Sequence, residues 1–575
     1  MTKTETPEPP KLEDLQHWTW VLGRAQQMML EHGLDAMQAA PAVPAMFDPA
    51  KAMQATAGFW ADTMQLWQRF LDPEHAQPFE ESPEQARDKR FKAPQWREEP
   101  VFDFLRQSYF TIADHLLKGV DAIEGVDDRQ KEQIRFATRG FIDAVSPTNF
   151  PATNPQVLEK IVETKGENLL KGLQHMLTDL QKGQLTQVDP NAFELGRNLA
   201  MTPGKVVRRT DLYELIQYSP AGKTVFKTPL IIFPPWINRF YILDLTPEKS
   251  FIRWAVEQGL TVFVVSWKSA DASMKDVVWD DYIEAGQIDA IDTVRELLGV
   301  KGVHTIGYCV AGTTLAATLA VLTARGQPEK VASATFFTAQ VDFSEAGDLT
   351  MFVDDDQLAL IKTLGSEGFL DGRYMAATFN LLRGRDLIWN YVTNNYLLGQ
   401  DYAPFDLLHW NSDVTNLPAS WHLSYLADLY RDNKLVQAGA IRVGDTPVDL
   451  SIVRTPTYVQ AGREDHIAPA ASVWKITHHF KGPLKFVLAG SGHIAGVVNP
   501  PAAGKYQYWT NDAKVETLTE FFAGAKETKG SWWPDWIEWI AGIDGEKIPA
   551  KGARVPGKGK LKPLGDAPGT YVRTR

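Results

Sequence analysis

The only cysteine of the chain, Cys309, lies in a stretch whose residue types and spacing suit a nucleophile. The β-rich run Val303–Tyr308 predicts a strand, and the small residues from Gly312 onward predict a helix. Gly307 and Ala311 flank the cysteine in the order Gly-x-nucleophile-x-Gly, with alanine at the last position. A nucleophile at such a strained turn requires small neighbours, and a helix N-terminus favours the thiolate. Considered alone, the stretch equally fits a buried structural cysteine.

An acid and a histidine follow later in the chain, each just beyond a predicted buried strand. Asp465 follows the run 456–460, and His493 follows the run 484–488, which is expected to be the last strand. The carboxyl ends of parallel strands meet at one sheet edge, so Cys309, Asp465 and His493 are expected to converge. His493 would take the proton of Cys309, and Asp465 would orient the imidazole.

An acyl-transfer site also needs donors for the oxyanion of its tetrahedral intermediate. The backbone N–H of Val310, directly after the nucleophile, is the first candidate. The second is expected in the loop after the strand 230–233, at Ile237 or Asn238.

Each assignment has rivals in the sequence. Glu464 is an alternative acid and His466 an alternative base, although an adjacent histidine cannot easily fold back onto Asp465. His304 lies early in its strand and is expected to be a packed histidine. The run Asp354–Asp356 lacks the glycine and downstream glutamate of a calcium loop, so a solvated run is expected and no metal site is predicted.

The elements that must position these residues divide the chain in two. Residues 1–204 show helical spacing, which predicts a domain for packing, association or docking on an apolar surface. Residues 205–575 alternate strands with helices, which predicts a mostly parallel sheet covered on both faces. With the chain order nucleophile, acid, histidine, this pattern indicates an α/β-hydrolase fold. The irregular segment from about 344 to 445 is either a cap over the site or a surface excursion, and the basic tail 545–575 is expected to be a solvated extension.

Composition narrows the class of protein. The 575 residues carry a net charge of −12, which argues against nucleic-acid binding. A single cysteine fits a reducing cytoplasm. The polar, Pro-rich segment Met1–Pro10 lacks the apolar core of a signal peptide, and no uncharged apolar run reaches transmembrane length.

Several stretches together give the chain a resemblance to the polyhydroxyalkanoate synthases of the single-subunit class I type. The stretches that carry it are Ser146–Pro155, Pro234–Leu245, Gly307–Thr313, Arg463–Ile467, Gly492–Gly496 and Gly530–Trp536. One departure is Ala311, where the family usually has glycine.

The resemblance implies polymerisation of (R)-3-hydroxyacyl-CoA, with 3-hydroxybutyryl-CoA favoured, into a polyester with release of CoA. It implies Cys309 as the acylated residue, no cofactor beyond the acyl-CoA substrate, a homodimer, and a cytoplasmic location on polymer granules. Whether Asp465 or His493 activates the 3-hydroxyl in elongation stays open, as does whether Trp410 lies near the site or only packs in the core. The competing functions are a thioesterase or polyester depolymerase of the same fold, and a non-catalytic granule-coat protein.

Overall fold

The computed structural model describes residues 49–72 and 79–575. The prediction for Met1–Pro10 lies outside these residues. The described residues form two compact units, one of residues 49–72, 79–189 and 376–403 and the other of residues 190–375 and 404–575. Within the described ranges, no helix combines the length and apolar character needed to cross a bilayer.

The first unit is helical, as the spacing predicts. Its helices are Pro49–Leu71, Pro83–Ala86, Gln95–Glu98, Pro100–Asp121, Asp128–Ala144, Pro155–Thr164 and Glu167–Lys182. Local sequence explains where they begin: Asp127 and Asn154 accept hydrogen bonds from the first turns of their helices. The core of this unit is small and largely aromatic, built around Phe91, Trp96 and Phe110.

Residues 376–403, from the segment predicted as a cap, pack within this first unit. Arg385 forms an ion pair with Asp143 at 3.0 Å, and the Tyr396 hydroxyl donates to Asp179 at 2.6 Å. A Cβ on Gly172 would lie 1.7 Å from the Tyr396 carbonyl oxygen, so only glycine permits this approach. The irregular segment therefore contributes to both units.

The second unit is built on an eleven-stranded sheet in the order β10-β9-β8-β7-β6-β5-β3-β4-β2-β1-β11. Its strands are β1 Gly204–Arg209, β2 Tyr213–Tyr218, β3 Leu230–Phe233, β4 Val262–Trp267, β5 Val303–Tyr308, β6 Val331–Phe337, β7 Thr457–Gly462, β8 Leu484–Ala489, β9 Gln507–Thr510, β10 Lys526–Lys529 and β11 Gly565–Asp566. From β4 to β8 the pairing is parallel, and the flanking strands pair antiparallel. This is the predicted α/β-hydrolase fold with its mostly parallel sheet.

Helices cover both faces of the sheet, which explains why the central strands are apolar along their whole length. They are Phe251–Glu257, Asp289–Leu298, Val310–Ala324, Asp406–Ser412, Ala419–Ser424, Ala470–Trp474, Ile476–His479, Leu518–Ala523 and Trp533–Ile543. The irregular segment adds the helices Asp355–Leu364 and Gly372–Leu382. One hydrophobic cluster fills each side of the sheet, and Cys309 packs against the cluster that contains Trp532, Trp533 and Trp536.

Two expectations about the end of the chain are wrong. The strand at 484–488 is not the last, because β9 and the polar edge strand β10 extend the sheet after it. The tail is not a solvated extension: β11 pairs with β1, and Lys547–Pro549 pairs with Thr224–Phe226. Its few anchoring residues are dispersed among glycine, proline and lysine, so they produce no periodic pattern.

The buried guanidinium of Arg554 is the tail anchor that offers the clearest test. It donates to the Phe226 carbonyl at 3.4 Å and to the Thr261 hydroxyl at 3.3 Å. Arg554→Met keeps much of the side-chain volume but removes these bonds, so we expect the free energy of unfolding to fall by about 2 kcal/mol. Urea denaturation measures it, with the exposed Lys558→Met as matched control. Equal stability of the two variants would contradict the anchoring role.

Candidate active site

The candidate nucleophile occupies a strained turn between β5 and a helix. Cys309 has φ 53° and ψ −127°, a backbone conformation that residues other than glycine rarely adopt. The turn is held by a hydrogen bond from the Cys309 N–H to the Phe337 carbonyl at the end of β6, at 2.9 Å. Strain of this kind persists where the surrounding structure enforces it, and it presents the half-buried thiol at the carboxyl edge of the sheet.

The close contact that makes the turn possible joins Gly307 and Gly312. A Cβ on Gly307 would lie 2.5 Å from the Gly312 Cα, and a Cβ on Gly312 would lie 2.4 Å from the Ala339 Cβ. The expectation that position 311 must be small for the same reason needs correction, because Gly312 makes the close approach. Ala311 is fully buried in the core, where its methyl group is accommodated.

Asp465 and His493 lie together beyond the ends of β7 and β8. The His493 Nδ1 is 2.7 Å from the Asp465 Oδ2, and both side chains are buried. The other carboxylate oxygen, Oδ1, accepts the backbone N–H groups of Ile467 and Ala468 at 2.8 and 2.9 Å. Both carboxylate oxygens are therefore engaged, which fixes the orientation of the imidazole.

The second ring nitrogen of His493 is not engaged by Asp465, and Cys309 lies close enough to act on the imidazole electrostatically. Burial by itself would lower the pKa of His493. Interactions with the Asp465 carboxylate and with Cys309 outweigh burial and raise the pKa to about 10. The site thus places an imidazole that is backed by a carboxylate next to the thiol, which is the arrangement of a cysteine acyl-transfer site.

The rival residues occupy different surroundings. Glu464 is exposed beside the buried Asp465. His304 is fully buried in β5, its Nδ1 is 2.7 Å from the Ser333 hydroxyl, and burial lowers its pKa to about 4. Asp354 accepts from the N–H of Gln357 as a helix cap. Within the described ranges, no three histidine, cysteine, aspartate or glutamate side chains group as metal ligands would.

The predicted oxyanion donors lie on two sides of the turn. Val310 is the first residue of its helix, where backbone N–H groups have no partner within the helix. Ile237 and Asn238 lie in the loop after β3, which begins beside the turn because Phe233 pairs with Gly307. Their role as donors stays a prediction.

Two tyrosines near the thiol escaped the sequence analysis. Tyr425 is the first residue of the π-helix Tyr425–Arg431, and Tyr430 is the last but one. Both hydroxyls lie close enough to Cys309 to interact with it electrostatically. The Tyr430 hydroxyl accepts from Gln340 Nε2 at 3.2 Å. Residues five apart share a face in a π-helix but not in an α-helix. The α-helical periodicity used on the sequence therefore could not pair these two tyrosines.

Comparisons with known proteins agree with this fold. The family described as the N-terminus of poly-beta-hydroxybutyrate polymerase (PhaC) matches residues 87–255, and the alpha/beta hydrolase fold family matches residues 230–500. A hydrolase of known structure from Pseudomonas aeruginosa is 13% identical, with 52% of this chain and 95% of that chain covered and a TM-score of 0.30. That likeness is too distant for any inference about individual residues.

Two relatives match almost the whole chain. The poly(3-hydroxyalkanoate) polymerase subunit PhaC of Rhizobium meliloti is 45% identical over 92% of this chain and 86% of its own length. The protein of the same name from Cupriavidus necator is 42% identical over 94% of this chain and 91% of its own length. On this similarity, the chain belongs to the poly(3-hydroxyalkanoate) polymerase family.

Proposed function

We propose that this chain polymerises (R)-3-hydroxyacyl-CoA, chiefly 3-hydroxybutyryl-CoA, into polyhydroxyalkanoate through an acyl-cysteine at Cys309. The observation that carries the proposal is the buried Asp465–His493 pair beside the thiol, in a chain whose relatives are named as polymerases of this class. Acyl-CoA serves as substrate, and no cofactor is part of the proposed chemistry.

In the acylation step, His493 accepts the thiol proton and the Cys309 sulfur attacks the thioester carbonyl carbon. The carbonyl oxygen becomes an oxyanion, which backbone N–H groups such as that of Val310 stabilise. The bond from carbon to the CoA sulfur then breaks, and the imidazolium returns its proton to the CoA thiolate. The products are CoA and an acyl thioester on Cys309.

In the elongation step, the 3-hydroxyl oxygen of another unit attacks the acyl thioester. A new ester bond forms, the carbon–sulfur bond to Cys309 breaks, and the hydroxyl proton has to be removed. His493 is the base supported by the contacts, since both oxygens of Asp465 already accept hydrogen bonds. Asp465 then acts by holding the imidazole and stabilising its positive charge.

The cysteine suits chain growth better than hydrolysis. Transfer from the CoA thioester to Cys309 exchanges one thioester for another and is nearly isoenergetic, whereas a serine ester would be more stable and would slow the next transfer. A thioesterase or depolymerase of this fold is the alternative, and it would release free hydroxy acid instead of polymer.

The proposal also includes a homodimer and a cytoplasmic location on the surface of the polymer granule. Exposed apolar side chains on helix Pro49–Leu71 support contact with an apolar surface: Trp60 is 61% exposed, Met64 70% and Leu71 75%. Light scattering of the purified protein and imaging of a fluorescent fusion in polymer-producing cells test these two points.

The activity is tested by incubating the purified chain with 3-hydroxybutyryl-CoA. We expect CoA release, rising turbidity and a polyester identified by mass analysis. Cys309→Ala should abolish all three because no other thiol exists to accept the acyl group. A folded wild-type chain that releases no CoA would refute the proposal, and free 3-hydroxybutyrate as sole product would favour the hydrolase.

Asp465→Asn tests the proposed charge arrangement. Without the carboxylate charge, burial should bring the pKa of His493 well below 10, so the imidazolium would be lost at lower pH. We expect the rate of CoA release to fall about 100-fold or more, and its high-pH limb to move to lower pH. Glu464→Gln removes the exposed neighbouring carboxyl and should retain the wild-type profile. Matching profiles for the two variants would contradict the assignment.

Ala311→Gly tests the departure from the family pattern at the turn. Since Gly312 makes the close contact, we expect CoA release within about twofold of wild type and a free energy of unfolding about 1 kcal/mol lower, as glycine weakens a helix. Gly312→Ala, which forces a Cβ against Ala339, should by contrast abolish activity or folding. A large gain of activity in Ala311→Gly would show that the methyl group strains the turn.

A further inference from the structure

The loop Pro234–Arg239, which carries the predicted donors Ile237 and Asn238, is attached to a second segment, 410–415. Three contacts hold its backbone. Thr415 Oγ1 donates to the Trp236 carbonyl at 2.6 Å, and Trp410 Nε1 donates to the Arg239 carbonyl at 2.7 Å. Between them, Asn238 forms a β-bridge with Val414. The loop is therefore fixed at its middle and at its end.

The side chain of Arg239 adds a buried charge to this attachment. Its guanidinium, 1% exposed, lies with Nε 3.4 Å from the Asp413 Oδ1. It also donates to the Val414 carbonyl at 3.3 Å and to the Tyr571 carbonyl at 3.2 Å. A buried arginine is costly unless it is paired and hydrogen-bonded, so the positions of these partners and of the loop depend on one another.

The carboxylate of Asp413 is buried as well, and it also contacts the turn that directly follows the loop. The hydroxyl of Tyr241, two residues beyond Arg239, donates to the Asp413 Oδ2 at 2.9 Å. The Arg575 guanidinium approaches Oδ1 at 3.0 Å from the exposed side. Asp413, itself part of segment 410–415, thus contacts Arg239 of the loop, Tyr241 just after the loop and Arg575 at the end of the chain.

The backbone at Tyr571, whose carbonyl accepts from Arg239, is itself hydrogen-bonded to the sheet. Glu214 in β2 is fully buried, and its carboxylate accepts the N–H groups of Thr570 and Tyr571 at 2.9 and 3.0 Å. The Tyr571 carbonyl that receives the Arg239 guanidinium is thereby fixed relative to the sheet.

We propose that Arg239, Asp413 and the Tyr571 carbonyl, here called the loop clamp, hold the loop so that its backbone N–H groups face the acyl carbonyl at Cys309. Arg239 and Asp413 are positioning residues, and the inference rests on the proposed acyl transfer. The clamp acts on the step that forms the oxyanion, because that step depends on where the donors lie. Displacing a donor by about 1 Å lowers the rate of acylation about 100-fold. Lysine cannot replace Arg239 fully, since only a planar fork of donors reaches several acceptors at once.

A single cysteine allows two reactions to be compared at the same sulfur. Acylation by p-nitrophenyl butyrate forms an oxyanion and expels p-nitrophenolate. Alkylation by iodoacetamide forms a carbon–sulfur bond at a saturated carbon, expels iodide and forms no oxyanion. We expect Arg239→Lys and Asp413→Asn to lower the kcat of acylation about 10- to 100-fold, with KM and the alkylation rate each within about twofold of wild type.

The matched control is Arg253→Gln, which removes an exposed ion pair with Glu257 outside the clamp and should leave both reactions unchanged. Equal loss of both reactions would show that the clamp serves only folding, and unchanged acylation would show that it does not position donors. If the two clamp variants fail to fold, Tyr241→Phe, which removes one hydroxyl, decides by the same comparison.

Failure of the proposed function has a different signature. If the wild-type chain is acylated by p-nitrophenyl butyrate but makes no polymer from 3-hydroxybutyryl-CoA, the polymerase proposal is refuted. The clamp variants can still be compared with wild type by their acylation and alkylation rates. A wild-type chain that alkylates at Cys309 but takes no acyl group overturns the clamp proposal itself.

Discussion

The backbone contact between Gly307 and Gly312 is the constraint on which the active site depends. It brings β5 and the following helix so close that Cys309 must take a positive φ, and the Phe337 carbonyl fixes the result. Because the strain is carried by packed backbone, the thiol stands at the sheet edge before any substrate arrives. The acid and histidine need only emerge from neighbouring parallel strands to meet it.

Buried charges around this edge are each given a defined set of partners. Asp465 receives two backbone N–H groups on one oxygen and the imidazole on the other. Glu214 accepts two backbone N–H groups of the tail, and the Arg239 guanidinium donates to the Tyr571 carbonyl of the tail and to the Val414 carbonyl of segment 410–415. Leaving any one of these groups unpaired would cost several kcal/mol, so each pair also fixes the backbone from which its partners come.

The parts of the fold that rest on local, repeated patterns could be predicted from the sequence. The apolar central strands and the order of Cys309, Asp465 and His493 were sufficient to expect their convergence, which the structure displays for the Asp465–His493 pair. Edge strand β10 and the tail could not be predicted, because polar edge strands and single anchors carry no periodic signal. The pairing of Arg239 with Asp413 could not be predicted for a related reason. The two residues are 174 positions apart, and in the sequence each is indistinguishable from an ordinary surface charge.

The surroundings of the thiol separate charged from neutral groups. Asp465 and the imidazole of His493 form the charged side, whereas burial raises the pKa of Tyr430 and keeps its hydroxyl protonated at neutral pH. Burial likewise raises the pKa of Tyr425. Because they stay neutral, these two hydroxyls do not compete with His493 for a proton. The proposed reaction handles a thioester in one step and a hydroxyl in the next, and the separation leaves His493 as the one group that exchanges the proton in both.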